Sequence, residues 1–185
     1  YADLVRLFNV DADVSIAGSA TGNSGFEPMP AIHSTIVVKN GGGRITAFPR
    51  ELRDLNAEIR ATNKIIEVKS LEMKIGDDPL RLAATVEPGG VMPFTAAITT
   101  SLNVSDVPRI VPEFSAYKTE GTVSADLKIK GTIDTPEKSE LSGTVSGRSL
   151  KIESPDYPKP ITLDAPVFTF EGGVMRMRGG IKAGE

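Results

Sequence analysis

The stretch "GTVSADLKIKG", residues 121–131, sets Val123, Ala125, Leu127 and Ile129 on one side of an extended chain and Thr122, Ser124, Asp126, Lys128 and Lys130 on the other. A period of two held this strictly marks a β-strand with one face in water and one face covered. The same alternation returns along the chain, and little in the sequence is helical enough to do the covering. Only "YADLVRLFN" and "VSDVPRIVPEF" have the pattern of short helical turns, and Pro108 and Pro112 break the second. What lies against the apolar face is therefore the question on which function turns.

"RDLNAEIRAT" places Leu55, Ala57, Ile59 and Ala61 together, "PLRLAATVEP" places Leu80, Leu82, Ala84 and Val86, and "PFTAAITTSLNV" places Phe94, Ala96, Ile98, Leu102 and Val104. Each reads as one strand of an antiparallel sheet. In "KIIEVKSLEMKI" the apolar parity slips between Val68 and Leu71, which predicts a one-residue β-bulge at Ser70. "PITLDAPVFTF" predicts Ile161, Leu163, Ala165 and Val167 on one face, and "VMRMRGGIK" predicts Met175, Met177 and Ile181. "KNGGGR", "GDDP", "EPGG" and "FEGG" read as the turns between strands.

The 39% hydrophobic content is enough for a globular core, and 21 basic against 24 acidic residues leave a net charge of −3. That balance lacks the basic excess needed to neutralise phosphates, so nucleic acid is not an expected partner. Cysteine is absent, which removes disulfides and thiolate chemistry. No apolar run is long enough to span a membrane, and "YADLVRLFNV" lacks the basic start of a signal peptide. An anchor is expected only outside these residues.

Residue blocks recur in order. "GRITAFPRELRDLNAEIRATNKIIEVKSLEMKIG" from Gly43 aligns with "GRSLKIESPDYPKPITLDAPVFTFEGGVMRMRGG" from Gly147. Upstream, "DADVSIAGSATG" from Asp11 aligns with "SADLKIKGTIDT" from Ser124, and "DLVRLF" with "DVPRIV". The expectation is a single elongated β domain over 1–185 made of two similar halves, 1–103 and 104–185.

Reactive groups are sparse. His33 is the only histidine, and its parity differs from that of Ile32 and Ile36, so it reads as a solvent-facing strand residue and not as a catalytic base. One histidine without cysteine does not make a zinc site. Asp77 and Asp78 fall in a Gly-Asp-Asp-Pro turn, where aspartate favours the turn through its own backbone. Asp11 and Asp13 begin like a calcium loop without its later ligands, and "NGGGR" lacks the Lys-Ser/Thr of a phosphate loop. Asn103 forms a glycan sequon, and Arg176, Arg178 and Lys182 read as the wet face of an edge strand. No enzyme, metal or cofactor is expected.

Taken together, "LRDLNAEIRATNKIIEVKSLEMKIGDDPLRLAATVEPGG", "FTAAITTSLNVSDVPRIVP", "GTVSADLKIKGTI" and the block ending "VFTFEGGVMRMRGG" resemble the AsmA-like family of bacterial envelope proteins, relatives of TamB and YhdP. The resemblance rests on the recurring "G-x-V-x-A-x-L-x-I-x-G", a Gly-Arg turn, "P-I-x-L" and a last strand opening "V-M-R-M". It implies a U-shaped antiparallel β groove in the periplasm, on a parent anchored in the inner membrane, that conducts phospholipid for outer-membrane biogenesis. The chain lacks the family's anchor.

The expected fold is thus mostly β, a curved antiparallel sheet forming a U-shaped groove or an elongated open sandwich or half-barrel, with one or two short helices. Groove-facing, lipid-binding residues would be Leu55, Ala57, Ile59, Leu80, Leu82, Phe94, Ala96, Ile98, Val123, Ala125, Leu127, Ile129, Leu163, Ala165 and Val167. These positions carry no polar handle, which suits an acyl chain; 16 carbons left in water cost roughly 12 kcal/mol at ~0.8 kcal/mol per methylene. The alternative is a closed β-sandwich, its apolar faces packed together, that serves as an envelope scaffold or binds protein partners at its edge strands.

Overall fold

In the computed structural model, residues 8–21, 31–45, 50–110 and 114–184 are described. Among these residues ten strands form one antiparallel sheet: β1 (Phe8–Thr21), β2 (Ala31–Ile45), β3 (Glu51–Thr62), β4 (Ile66–Ile75), β5 (Asp78–Val86), β6 (Pro93–Asn103), β7 (Lys118–Thr132), β8 (Glu140–Glu153), β9 (Ile161–Glu171) and β10 (Val174–Ala183). Their spatial order is their sequence order, so every connection links neighbours. This up-and-down path follows from the short turns, since "GDDP", "EPGG" and "FEGG" lie at β4–β5, β5–β6 and β9–β10 as their composition predicts. β1 and β10 are not paired with each other, and the sheet stays open.

Register puts the apolar alternation of successive strands in line. Val14 faces Val38, which faces Ala57, and the row continues through Leu71, Leu82, Ile98, Leu127, Gly143 and Phe170 to Met175. No polar side chain interrupts these ten positions. On the reverse face Arg81, Thr99, Asp126, Thr144, Thr169 and Arg176 form an adjacent row that is wholly polar. One-residue slips would exchange the two faces, so the burial difference itself holds the register.

Among the described residues no second sheet stands against the apolar face, and the two-layer sandwich is not formed. Burial agrees with a single layer: among the described residues the buried apolar ones are Leu52, Ala57, Ile75 and Leu150, with Pro166 the most enclosed side chain. Leu82, Ile98 and Leu127 are only half-buried by their neighbours in the sheet. At the outer strands exposure rises, reaching 71% at Ile16 on β1 and 63% at Ile181 on β10.

Bulges adjust the faces. On β4, Val68 faces Ala84 while Leu71 faces Leu82, so Lys69 and Ser70 share the space of one residue as the parity slip predicts. A second bulge in β9 is not foreshadowed by a parity slip in the reading above. Ala165 takes φ +42°, and the register with β10 shifts between Arg178 and Gly180. "NGGGR" is not a turn either, because residues 40–44 continue β2 through two register shifts. Its glycines permit close approach: a Cβ on Gly41 would lie 2.9 Å from the Leu55 Cβ and 3.2 Å from the Ala12 Cβ.

A similar local device occurs at two places in the sheet. Asp54, at φ +55°, precedes Leu55, which packs on Gly41; Ala165 precedes Pro166, which packs on Gly147. Against an alignment of Gly43 with Gly147, the glycines are offset by two residues and the positive-φ residues by seven. Among the described residues the helical pieces include a 3-10 turn at Val104–Asp106, a helical turn at Val107–Ile110 and a 3-10 turn at Pro136–Lys138, all short. The first two lie in "VSDVPRIVPEF", whereas residues 1–7 and Pro112 lie outside the described residues.

Candidate functional site

The candidate site is the apolar face. It brings together Leu55, Ala57 and Ile59 of β3, Leu80 and Leu82 of β5, Phe94, Ala96 and Ile98 of β6, and Val123, Ala125, Leu127 and Ile129 of β7. The ladder shows how: Ala57 faces Leu71 and Ile59 faces Val68, which carry the face through β4 to Leu82 and Ala84. Leu82 then meets Ile98 and Ala84 meets Ala96, which meet Leu127 and Ile129 in turn. Val123 is reached through Leu102, and Ala125 through Thr100 opposite Leu80. Leu163 joins through buried Leu150.

Ala165 and Val167 are not on this face. Ala165 is exposed at its positive φ, and Val167 faces Ser146 and Arg178 on the polar side. The backbone reversal at Ala165 moves the inward parity to Pro166, Phe168 and Phe170, the last two opposite Val145 and Gly143. "VFTF" offers apolar groups at both parities, so alternation alone does not choose between them. The proline after Ala165 was the available signal, since proline inside a strand marks a bulge or an edge.

Described residues of the β6–β7 connection border one end of the face. Val104, Val107, Phe114, Tyr117, Leu150 and Ile152 line a pocket of about 330 Å³ there, and the Phe114 and Tyr117 rings meet edge to face with centroids 5.8 Å apart. The Thr119 hydroxyl donates to the Val104 carbonyl, and Asn103 Oδ1 accepts from the Ser105 N–H at 2.9 Å, so Asn103 caps the turn. Arg50 anchors the same end: its Nη1 donates to Asp78 Oδ2 at 2.7 Å, and its Nε pairs with Asp106. Asp78 also accepts from the Asn103 N–H at 2.9 Å. Its role is thus to tie β5 to Arg50 and β6, in place of bonding its own turn.

The remaining polar candidates are solvated. His33 is exposed on β2 opposite Ser19 and Thr62, and Asp77 is exposed and paired with Arg53. Among the described residues no cluster of three or more histidine and acidic side chains is arranged to hold a metal. Charges on the polar face pair both along a strand, as Arg60 with Glu58 and Lys151 with Glu153, and across strands, as Lys69 with Glu58 and Lys74 with Asp54. Arg60, with Lys69, holds the Glu58 carboxyl below the usual carboxylate range; Lys74 does the same for Asp54. Lys151 lowers Glu153 and is itself raised by it. A hollow of about 460 Å³ also lies on the polar face, where Thr85, Thr95, Lys130 and Glu140 form one row above Ala83 and Ala97. Its mixed charges and small side chains define no reactive group.

Among the described residues no helix is long and apolar enough to cross a membrane. No protein-family model, curated protein or solved structure matches the chain.

Proposed function

We propose that this chain is a lipid-handling β segment that carries acyl chains along its apolar face. The observation that supports it most is the unbroken apolar row from Val14 to Met175, left uncovered by any second layer among the described residues. Nine inter-strand steps at ~4.8 Å make that row about 43 Å across, against a bilayer hydrocarbon core of about 30 Å that holds two tails end to end. The strip is therefore longer than one lipid tail. A phospholipid or other acyl lipid would lay its tails on this row and keep its head group in water. Transfer needs no covalent step, and no residue is assigned a catalytic role. This reading fits a periplasmic segment of an AsmA-like parent held at the inner membrane and serving outer-membrane biogenesis and lipid homeostasis, with other envelope proteins as further partners.

Native mass spectrometry of the purified chain, with extraction of whatever co-purifies, tests the proposal. Near-stoichiometric phospholipid, lost in Leu127→Asp while the β circular dichroism persists, is the expected result. A clean lipid-free mass, with no uptake of a fluorescent phospholipid, would overturn it.

A further inference from the structure

The two outer strands are complementary to each other. Among the described residues β1 and β10 each leave one edge of backbone donors and acceptors unpaired, over 14 and 10 residues. Such edges template the addition of another strand. Along β1 the polar side carries Asp11 and Asp13, set off by Ala12 and Val14 on the apolar side. Along β10 the polar side carries Arg176 and Arg178, and the apolar side Met175 and Met177. Among the described residues none of these four charged side chains takes part in an ion pair. The bulges next to both edges place their extra residue on the inner neighbour, β2 or β9, so β1 from Asp11 onward and β10 keep unbroken alternation.

We infer that β10 of one copy pairs antiparallel with β1 of a second copy, continuing the sheet from molecule to molecule. The meander fixes the directions: with ten strands alternating, β10 runs opposite to β1, so a second copy added at that edge extends the antiparallel pattern with the apolar faces on the same side. One register satisfies both faces at once. Arg176 lies opposite Asp13 and Arg178 opposite Asp11, while Met175 meets Val14 and Met177 meets Ala12. Cross-strand pairs of opposite charge and apolar pairs both favour that alignment, whereas a one-residue slip sets methionine against aspartate. The contact is heterologous, so copies add head to tail, as an open filament unless the rotation per copy closes a ring. It joins the apolar rows of successive copies but does not depend on what those rows carry.

Charge reversal tests the pairing. Asp11→Lys with Asp13→Lys in one chain, and Arg176→Glu with Arg178→Glu in another, should each abolish the concentration-dependent growth seen by sedimentation velocity for the unaltered chain. Mixing the two at equal amounts should restore it, because each reversed edge then meets its complement. Cysteine-free sequence allows a second readout: a Ser15→Cys, Val174→Cys chain should form disulfide-linked multimers, and an Ala17→Cys, Val174→Cys chain, two residues out of register, should not. A strictly monomeric unaltered chain, failure of the mixture to assemble, or a disulfide formed only within one chain would each overturn the inference.

Discussion

Gly143 of β8 stands directly opposite Leu127 of β7, at φ +123°, with its Cα so close to β7 that a Cβ would overlap the Asp126 carbonyl oxygen. The clash is with backbone, which cannot step aside without opening the ladder. Gly143→Ala is expected to cost well over 1 kcal/mol, the scale at which alanine is strained at positive φ. Urea unfolding followed by circular dichroism measures it, and an unchanged midpoint would show that β7 and β8 are not paired in this register.

Arg50 ties three segments through Asp78 and Asp106, with its own side chain 26% exposed. Arg50→Ala leaves two half-buried carboxylates without this partner and is expected to lower stability by about 1.5–3 kcal/mol, the range for hydrogen bonds to charged groups. Arg44→Ala removes a pair with Glu51 that is exposed at both partners and should cost less than about 1 kcal/mol. The two denaturant midpoints, measured side by side, check the ordering.

The ion pairs on the polar face make stability depend on pH in a defined direction. Glu58, Glu153 and Asp54 are lowered on folding by Arg60, Lys151 and Lys74, so their contribution is present above their ordinary values of 4.5, 4.5 and 3.8. It is lost as pH falls through the folded values beneath these. Lys151 is raised, so its contribution is present below 10.5 and is lost as pH rises past the higher folded value. Thermal unfolding midpoints should fall toward acid, less steeply in Glu58→Gln and in 1 M salt, where the screening length is about 3 Å.

Alternation alone made much of the sheet legible, including the β4 bulge, because Val68 and Leu71 cannot both point inward without an extra residue between them. It failed at β9, where Ala165 and Val167 kept an unbroken parity that the backbone reverses beside Pro166. It failed also at "NGGGR", where glycine serves close packing on Leu55 instead of a turn. Periodicity says that Leu127 has an apolar side but not what lies against it, so the choice between one layer and two came only with the strand order. The charge complement of β1 and β10 was hidden for the same reason, since nothing local marks the two most distant strands as the sheet's edges.

The most direct test of the lipid-carrying face is cross-linking with a phospholipid that bears a photoreactive diazirine on its acyl chain, followed by peptide mapping of the adducts. Labelling is expected at Leu82, Ile98 and Leu127, which form one row, and not at Arg81, Thr99 and Asp126, one residue away on the other face. Equal labelling of the two rows, or adducts confined to the polar one, would contradict the account.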